Sequence, residues 1–590
     1  MTGPQFPLVV HATHEAHVKI GGIGAVLDGL LGSPAYNAAV ARTIVVGAMN
    51  VGNLVEMERL TSPANRLAII YSSLHGENHA APELGRALRA IEERMNVRLL
   101  YGRRGFGPAQ HEVILVDAQQ IDGPVINSFK FYCWDRWGLD SARYETQWEY
   151  SFFMNAAEPL FAALEVVTGE LPPGAVPFII AHEWVGLPVV FSALLHRPGR
   201  YKTAFYAHEV AIARRLVEDS GGHDTCFYNA LRVGVSQGIA LDAVFGDQSG
   251  YFKHAVVQRA GVCDRLFAVG DLVLDELRFL GGIVGSKPID LVYNGVPAGS
   301  LSVGMDRKQS SRELLLQYCQ NLLGYRPDFV FSHVSRMVVS KAFWRDLRVL
   351  EHLDGMLAAD GKRAVCFVVA TADPAGRLPA DVMRWEREYG WPLGHRADNG
   401  DLRGEEDGYF FHGLEPFHWN HHNVRIVLVN QFGWDRSRCG ARMPEGMTFA
   451  DLRAGTDLEF GQSIYEPFGI AQVEPLGAGA LCVVSNVCGC IGFVRRSRPI
   501  ADCENLIVAD YTSLPDWFIS SPWDALWIDR ATRERVEARA SHDAAAKIRQ
   551  RLPYTRNDAE CLLDSGQAAA LTMSWDKVVA DHLLPAMQRC

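Results

Sequence analysis

Glu466 and Glu474 stand with seven residues between them in the run Ser463-Ile464-Tyr465-Glu466-Pro467-Phe468-Gly469-Ile470-Ala471-Gln472-Val473-Glu474. Pro and Gly at the start of an apolar helix leave backbone N–H groups exposed. At ~1.5 Å per helical residue the two carboxylates lie roughly 12 Å apart. The acid/base pair of a glycosidase needs ~5–10 Å. The wider spacing suits one carboxylate on a sugar ring and a second on a ribose.

Arg336 and Lys341 share the loop after the strand-like run Phe329–Val334. Two cations on one loop can neutralise a diphosphate leaving group, although a solvated basic loop has the same composition. Lys19-Ile20-Gly21-Gly22-Ile23-Gly24 follows another apolar run and opens a helix. Glycines there allow close approach of an anion to backbone N–H groups, with Lys19 adding a point charge. A tight strand-to-helix turn would look the same, and neither the dinucleotide G-x-G-x-x-G nor a P-loop is present. His182-Glu183 and His208-Glu209 each follow a short apolar run, with Arg214 six residues beyond His208. Two such histidine loops belong at strand ends facing one cleft.

Positioning these groups requires strands at regular intervals. Phe6–His11, Thr43–Val46, Leu67–Tyr71, Val113–Asp117, Phe178–Ala181, Thr203–Tyr206, Leu266–Val269 and Leu291–Tyr293 read as one series. Phe329–Val334, Ala364–Val369, Val424–Val429, Leu458–Gln462 and Leu481–Ser485 read as a second. Helical stretches between them predict βαβ units and parallel sheets. The loop at about 297–310 reads as a hinge, 374–415 as an irregular surface insertion, and 530–551 as a charged helix. Another helical stretch fills about 568–587. The architecture is α/β: two doubly wound domains facing a cleft, with ligands at the C-terminal strand ends.

Composition excludes other classes. With 48% hydrophobic and 21% charged residues in 590, the chain is neither disordered nor fibrous. A net charge of 57 − 68 = −11 argues against a nucleic-acid partner. No apolar run reaches the ~20 residues of a membrane span, and the N-terminus lacks the pattern of a secretion signal. Twelve cysteines are too sparse for a disulfide scaffold, so reduced thiols and a cytoplasmic location are expected. Cys488 and Cys490 have no second close pair to complete a zinc site. His418, His421 and His422 form a cluster that reads as loop surface.

These clusters together resemble a retaining glycosyltransferase of the GT-B fold, and within it the eukaryotic-type glycogen synthases, with bacterial glycogen and starch synthases more distant. His14 to Ile23 is similar to that family's glycine motif. His182-Glu183-Trp184 and His208 through Arg214 resemble its histidine motifs in order and spacing. Phe227-Tyr228-Asn229 and 251–259 look like its acceptor-domain helices, Tyr293-Asn294-Gly295-Val296 like its Asn-Gly loop, and Arg336 with Lys341 like its phosphate-binding pair. Glu466 and Glu474 match the E-x7-E signature. The likeness runs from about residue 9 to the C-terminal helix.

The resemblance implies an acceptor domain over 1–300, a nucleotide-sugar domain over 301–559, and a crossover helix at about 560–590 packing back on the first. It makes His208, Glu466, Arg336 and Lys341 the catalytic set. Glu466 would hold the donor hexose with the backbone of Phe468, Gly469 and Ile470. Glu474 would bind the ribose. Lys19, Gly21, Gly22, Arg214, Asn294 and Phe449 would complete the donor site. His182 and Glu183 would lie on the acceptor side or behind it. Neither metal nor other cofactor is expected, because arginine and lysine take the leaving-group charge.

Phe449 replaces a stacking Tyr of the family, which leaves UDP favoured over ADP but not fixed. The family's arginine-rich helix is thinned here to Lys547, Arg549, Arg551 and Arg556, so glucose-6-phosphate activation is not expected. The implied activity is transfer of glucose from UDP- or ADP-glucose to the non-reducing end of an α-1,4-glucan, with retention. An α-glucan is then the partner, and a homo-oligomer through 251–259 is compatible with it. The alternatives are a transferase to a small acceptor, of the sucrose- or trehalose-synthase type, and a non-catalytic glucan-binding relative.

Overall fold

Period-two alternation in the second half of the chain builds a sheet covered on both faces. Phe329 and Phe331 face one apolar cluster, and Val330 between them faces another. Ala364, Cys366 and Val368 do the same against Val365, Phe367 and Val369. Strands buried on both sides need this continuous apolarity. The computed structural model describes residues 4–219, 223–372, 378–389, 405–429, 433–497 and 503–590.

The strands of the first series are β1 (Val9–Ala12), β2 (Thr43–Ala48), β3 (Ala68–Ser72), β4 (Glu77–Asn78), β5 (Arg98–Phe106), β6 (Ala109–Asp117), β7 (Phe178–His182), β8 (Lys202–Ala207), β9 (Arg265–Ala268) and β10 (Ile289–Leu291). They form one sheet in the order β10-β9-β8-β7-β1-β2-β6-β5-β3-β4. The second series is β11 (Phe329–Arg336), β12 (Ala364–Thr371), β13 (Val424–Val429), β14 (Leu458–Gly461), β15 (Leu481–Ser485) and β16 (Leu506–Ala509). Its order is β13-β12-β11-β14-β15-β16, and every pairing is parallel.

The first sheet departs from the expected all-parallel form. β5 pairs antiparallel with both β6 and β3, and β3 with β4. β5 escaped the sequence reading because Gly102, Arg103, Arg104 and Gly105 break its apolar pattern. The Gly107-Pro108 turn between Phe106 and Ala109, with Gly107 at φ 51°, is the hairpin signal that marks it. β16 was also not anticipated.

Other elements differ from expectation. Residues 297–310 are largely helical, as Ala298–Leu301 and the start of Met305–Leu323. Within 374–415 the described residues form the helices Pro379–Tyr389 and Glu405–Asn420, not irregular coil, and the rest lies outside the described residues. The charged stretch at 530–551 is the expected helix, Arg530–Arg551. The C-terminal stretch is several helical pieces: Arg556–Thr572, Trp575–Val578, a π-turn at Val579–Leu583, and Leu584–Gln588.

The chain divides into two compact units. The first takes residues through Ala213, Gly234–Gly295 and Trp575–Cys590, and holds the ten-stranded sheet. The second takes Arg214–Val233 and Val296–Ser574, and holds the six-stranded sheet. Among the described residues no helix is long and apolar enough to cross a membrane.

Candidate functional site

In the second unit the chemistry gathers at the C-terminal ends of β11 and β14. Arg336 is the exposed last residue of β11, and Lys341 ends the 3-10 turn Val339–Lys341 that follows. The Ile464 N–H donates to the Ser340 carbonyl (2.9 Å), tying this loop to the one after β14. Lys341 Nζ therefore meets Glu466 Oε2 in a direct ion pair. Gln472 Nε2 (2.8 Å) and Ser463 Oγ (3.3 Å) donate to the same oxygen.

Burial alone would push the Glu466 carboxyl up. Lys341, through its charge and hydrogen bond, then Arg214 and Gln472, outweigh it and hold Glu466 below its ordinary value. Glu466 is thus an ionised acceptor. The Arg214 guanidinium lies 5.4 Å from the centre of the neighbouring Tyr465 ring.

Gly469 has φ 86°, and a Cβ there would meet Cys488 Sγ at 2.7 Å, Gln472 Oε1 at 2.8 Å and Glu466 Cγ at 2.9 Å. Only glycine fits that position. The loop is held from behind: Gly489 N–H donates to Glu466 O (2.9 Å) and Cys490 N–H to Phe468 O (2.7 Å). Beyond it the expected apolar helix is one α-turn, Ile470–Val473, followed by the 3-10 turn Glu474–Ala478. Pro475 and Gly477 explain the early stop.

Glu474 lies 3.5 Å from Arg453 Nη2. Arg453 also pairs with Glu459, and its guanidinium sits 5.4 Å from the Phe449 ring centre. Phe449 is half-exposed at the start of the helix Phe449–Gly455, whose first turn Asp451 fixes by accepting the Thr448 N–H (2.8 Å). An exposed ring and a carboxylate bridged by one arginine can take a base and a ribose.

In the first unit three histidines line the C-terminal end of the sheet. β1, β7 and β8 are adjacent and parallel, with His11 opposite Ile180 and His182 opposite Tyr206. His182 is two residues past Ile180, and His208 two past Tyr206, so period two puts all three rings on one face. His11 Nδ1 lies 2.8 Å from His182 Nε2, and His182 Nδ1 lies 2.9 Å from His208 Nε2. Burial lowers all three, His182 to about 3. They are neutral imidazoles.

Glu183 opens the next helix at φ 61°, an unusual value for a non-glycine residue. Its Oε1 accepts the main-chain N–H groups of His208 and Glu209, the latter at 2.7 Å. Burial, then the neighbouring Glu209, raise Glu183 to about 8.

The first part of the glycine motif is already satisfied internally. Glu15 Oε2 accepts the N–H of Ile20 (2.6 Å) and Gly21 (2.8 Å), and Lys19 pairs with Asp28 at 3.1 Å. A ligand anion at the Gly21 N–H has to displace a carboxylate that the sequence reading did not place there. Asn294 is buried, with Oδ1 unpartnered among the described residues.

The remaining candidates resolve plainly. Of the thinned cationic set, Arg549 pairs with Asp360, Arg556 with Glu560, and Arg551 donates to the carbonyls of Glu504 and Leu506. His418 lies in the helix Glu405–Asn420, not on a loop, and its Nε2 accepts the Ile426 N–H (3.2 Å). His421 faces Asp354 at 3.6 Å. All twelve cysteines are free thiols, and among the described residues no group of three or more His, Cys, Asp or Glu could hold a metal ion.

His11, Tyr36 and Glu15 were missed. Two of them carried a signal: His11 ends the strand-like run Phe6–His11, and Glu15 stands inside the glycine motif.

The fold is that of the GT-B glycosyltransferases. Over 100% of this chain and 99% of the other, it is similar to the catalytic domain of starch synthase IV from Arabidopsis thaliana, solved with ADP and acarbose, at TM-score 0.53 and 14% identity. Two further similar structures are a sucrose-phosphate synthase from Thermosynechococcus elongatus (TM-score 0.47, 12% identity, 99% and 98% of the two chains) and a UDP-forming α,α-trehalose-phosphate synthase from Burkholderia xenovorans with glucose-6-phosphate (0.49, 10%, 99% and 100%). At 14% identity the likeness to the starch synthase speaks to fold alone. No protein-family model matches the sequence, and no curated protein sequence matches it.

Proposed function

We propose that this chain is a retaining glycosyltransferase that moves glucose from UDP- or ADP-glucose to the non-reducing end of an α-1,4-glucan. The observation that carries this reading is the Lys341–Glu466 ion pair at the strand ends of the second unit, with Arg214 beside it. Glu466 is an ionised acceptor for the hydroxyls of a hexose, held by the rigid Pro467–Gly469 loop. Lys341 and Arg336 supply positive charge to a departing diphosphate, the main requirement of such a transfer. Glu474 and Phe449 take the ribose and the base. In the first unit Glu183 fixes the His208 main chain.

In this reading retention comes from front-face attack, without a glycosyl-enzyme carboxylate. The divided nucleotide specificity follows Phe449, which keeps the stacking surface of a Tyr without its hydroxyl.

The test is release of nucleoside diphosphate from UDP-glucose and ADP-glucose, each with and without glycogen, followed by sizing of the glucan. Glycogen-dependent release with longer chains supports the proposal and names the base. Release that glycogen does not stimulate moves the assignment to a small-acceptor transferase. No release with either donor overturns it.

A further inference from the structure

The three histidines continue into a longer buried line. His11 Nε2 lies 2.9 Å from the Tyr36 hydroxyl, and that hydroxyl lies 3.1 Å from Thr43 Oγ1. Tyr36, His11 and His182 are fully buried, and Thr43 nearly so. Thr43 on β2 is opposite Val9 on β1, two residues before His11. Thr43, His11, His182 and His208 thus climb the sheet by two residues per strand, on one face, with Tyr36 from the helix Pro34–Ala39 bridging the first step. His208 stacks on His182 at 5.1 Å and 9°, and packs against Tyr206 at 4.4 Å. His208 Nδ1 is buried and has no partner among the described residues.

Each imidazole is neutral and carries one proton, so each link has one donor and one acceptor. A line of this kind has two polarities. In the first, Thr43 donates to Tyr36, Tyr36 to His11, His11 to His182, and His182 to His208 Nε2. His208 then carries its proton on Nδ1. In the second, every bond reverses. His208 Nδ1 is then a bare lone pair, and the buried Thr43 O–H has no acceptor among the described residues. The first polarity satisfies every proton inside the protein and leaves only the Nδ1–H of His208 to be met from outside. A buried donor without a partner is costly, so a ligand oxygen at that position selects it.

We propose that Tyr36, His11 and His182 are positioning residues that set the tautomer of His208, so that its Nδ1–H is offered to an oxygen of the bound sugar substrate. The catalytic consequence rests on the transferase reading above, but the tautomer does not.

Asn and Gln substitutions separate the line from mere packing. An Asn amide reaches where a His Nδ1 stands, and a Gln amide reaches where Nε2 stands. His182→Asn keeps a partner for His208, and His182→Gln keeps only the partner for His11. Packing alone would favour Gln, the closer volume match.

The experiment is nitrogen NMR of the full chain labelled with 15N-histidine, the His208 signals assigned by their loss in His208→Gln. The parent is expected to show one tautomer with Nδ1 protonated. His182→Asn is expected to keep it, and His182→Gln to show both tautomers. Protonation of Nε2 in the parent, or a mixture there, overturns the proposal whatever the variants do. So does an identical His208 pattern in the two variants.

In the transfer assay His182→Gln should lower kcat about tenfold or more with KM for the donor unchanged, the worth of one hydrogen bond, and His182→Asn should restore most of it. Correct tautomers with equal turnover in both variants would leave the line standing and overturn its catalytic use. Correct tautomers without any transferase activity would sink the transferase reading instead.

Discussion

The carboxyl group of Glu183 holds His208 by its main chain: Oε1 accepts the His208 N–H and, at 2.7 Å, that of Glu209. A neutral amide oxygen can accept the same bonds. Glu183→Gln should therefore retain transfer activity. Glu183→Ala should orphan two N–H groups at roughly 1–3 kcal/mol each, and lower both stability and kcat. Denaturant melts with steady-state rates on the three proteins check this, and equal loss in Gln and Ala would contradict it.

The same residue makes stability pH-dependent. Burial and Glu209 raise Glu183 to about 8, whereas an exposed Glu ionises near ~4.3. Between those values the folded chain holds a proton that the unfolded chain has lost. Stability from this group is full below about pH 4.5 and is lost as pH rises through about 8. Glu183→Gln should lack this component. Parallel curves of Tm against pH for the two proteins would refute it.

The histidine line acts with opposite sign. His11, His182 and His208 are neutral when folded, with His182 lowered to about 3, so the unfolded chain binds protons first as pH falls below ~6.5. Their contribution is full above that pH and declines below it, by up to about 1.4 kcal/mol per pH unit for each ring. Replacing His182 by Asn should flatten the acid limb of the stability curve, measured by urea unfolding between pH 7 and 4.

Lys341 is the largest influence opposing burial at Glu466. Lys341→Met should cut kcat by at least about 100-fold through loss of leaving-group stabilisation. It should also move the acid limb of kcat/KM upward, because burial of Glu466 is then less opposed. An unmoved limb would separate Lys341 from Glu466. Glu466→Ala should lower turnover far more than Tm.

Gly469→Ala forces a side chain into φ 86° and against Cys488 Sγ and Glu466 Cγ. The expected cost is at least about 1 kcal/mol, with lost turnover because the Glu466 loop must shift. Cys488→Ser, which changes the neighbouring side chain only slightly, is the control for the melt.

Phe449→Ala should raise the donor KM about tenfold with little change in stability, since the ring is half-exposed and stacking on a base is worth roughly 1–3 kcal/mol. Phe449→Tyr should restore it. Titration of UDP and ADP separately reads which base the ring meets, and equal affinity of Phe449→Ala and parent for both would remove the ring from the site.

Sequence alone carried the strands and the chemistry-bearing loops, because those signals are local. Phe178-Ile179-Ile180 announces a buried strand wherever it lies in the fold, and Pro467 with Gly469 announces a turn. β5 was hidden because its apolar pattern is interrupted by arginines and glycines. Arg104 there is buried, with Nε donating to Asn65 (2.7 Å) and Nη1 to the carbonyls of Glu15 and Ala16 (both 3.1 Å), partners 39 to 89 residues away in the chain. The Glu474 helix was overestimated because apolar residues continue past the point where Pro475 and Gly477 change its type.

What sequence determined is the class of each element and the residue types available at the strand ends. Which of those residues act on one another was decided by strand order and register. Lys341 and Glu466 lie 125 positions apart and meet because β11 and β14 are neighbours. His11 and His182 lie 171 apart and meet because β1 pairs with β7, two residues out of step on one face. Side-chain period two is a local property of the chain, but the pairing that turns it into a line of imidazoles is a property of the folded sheet.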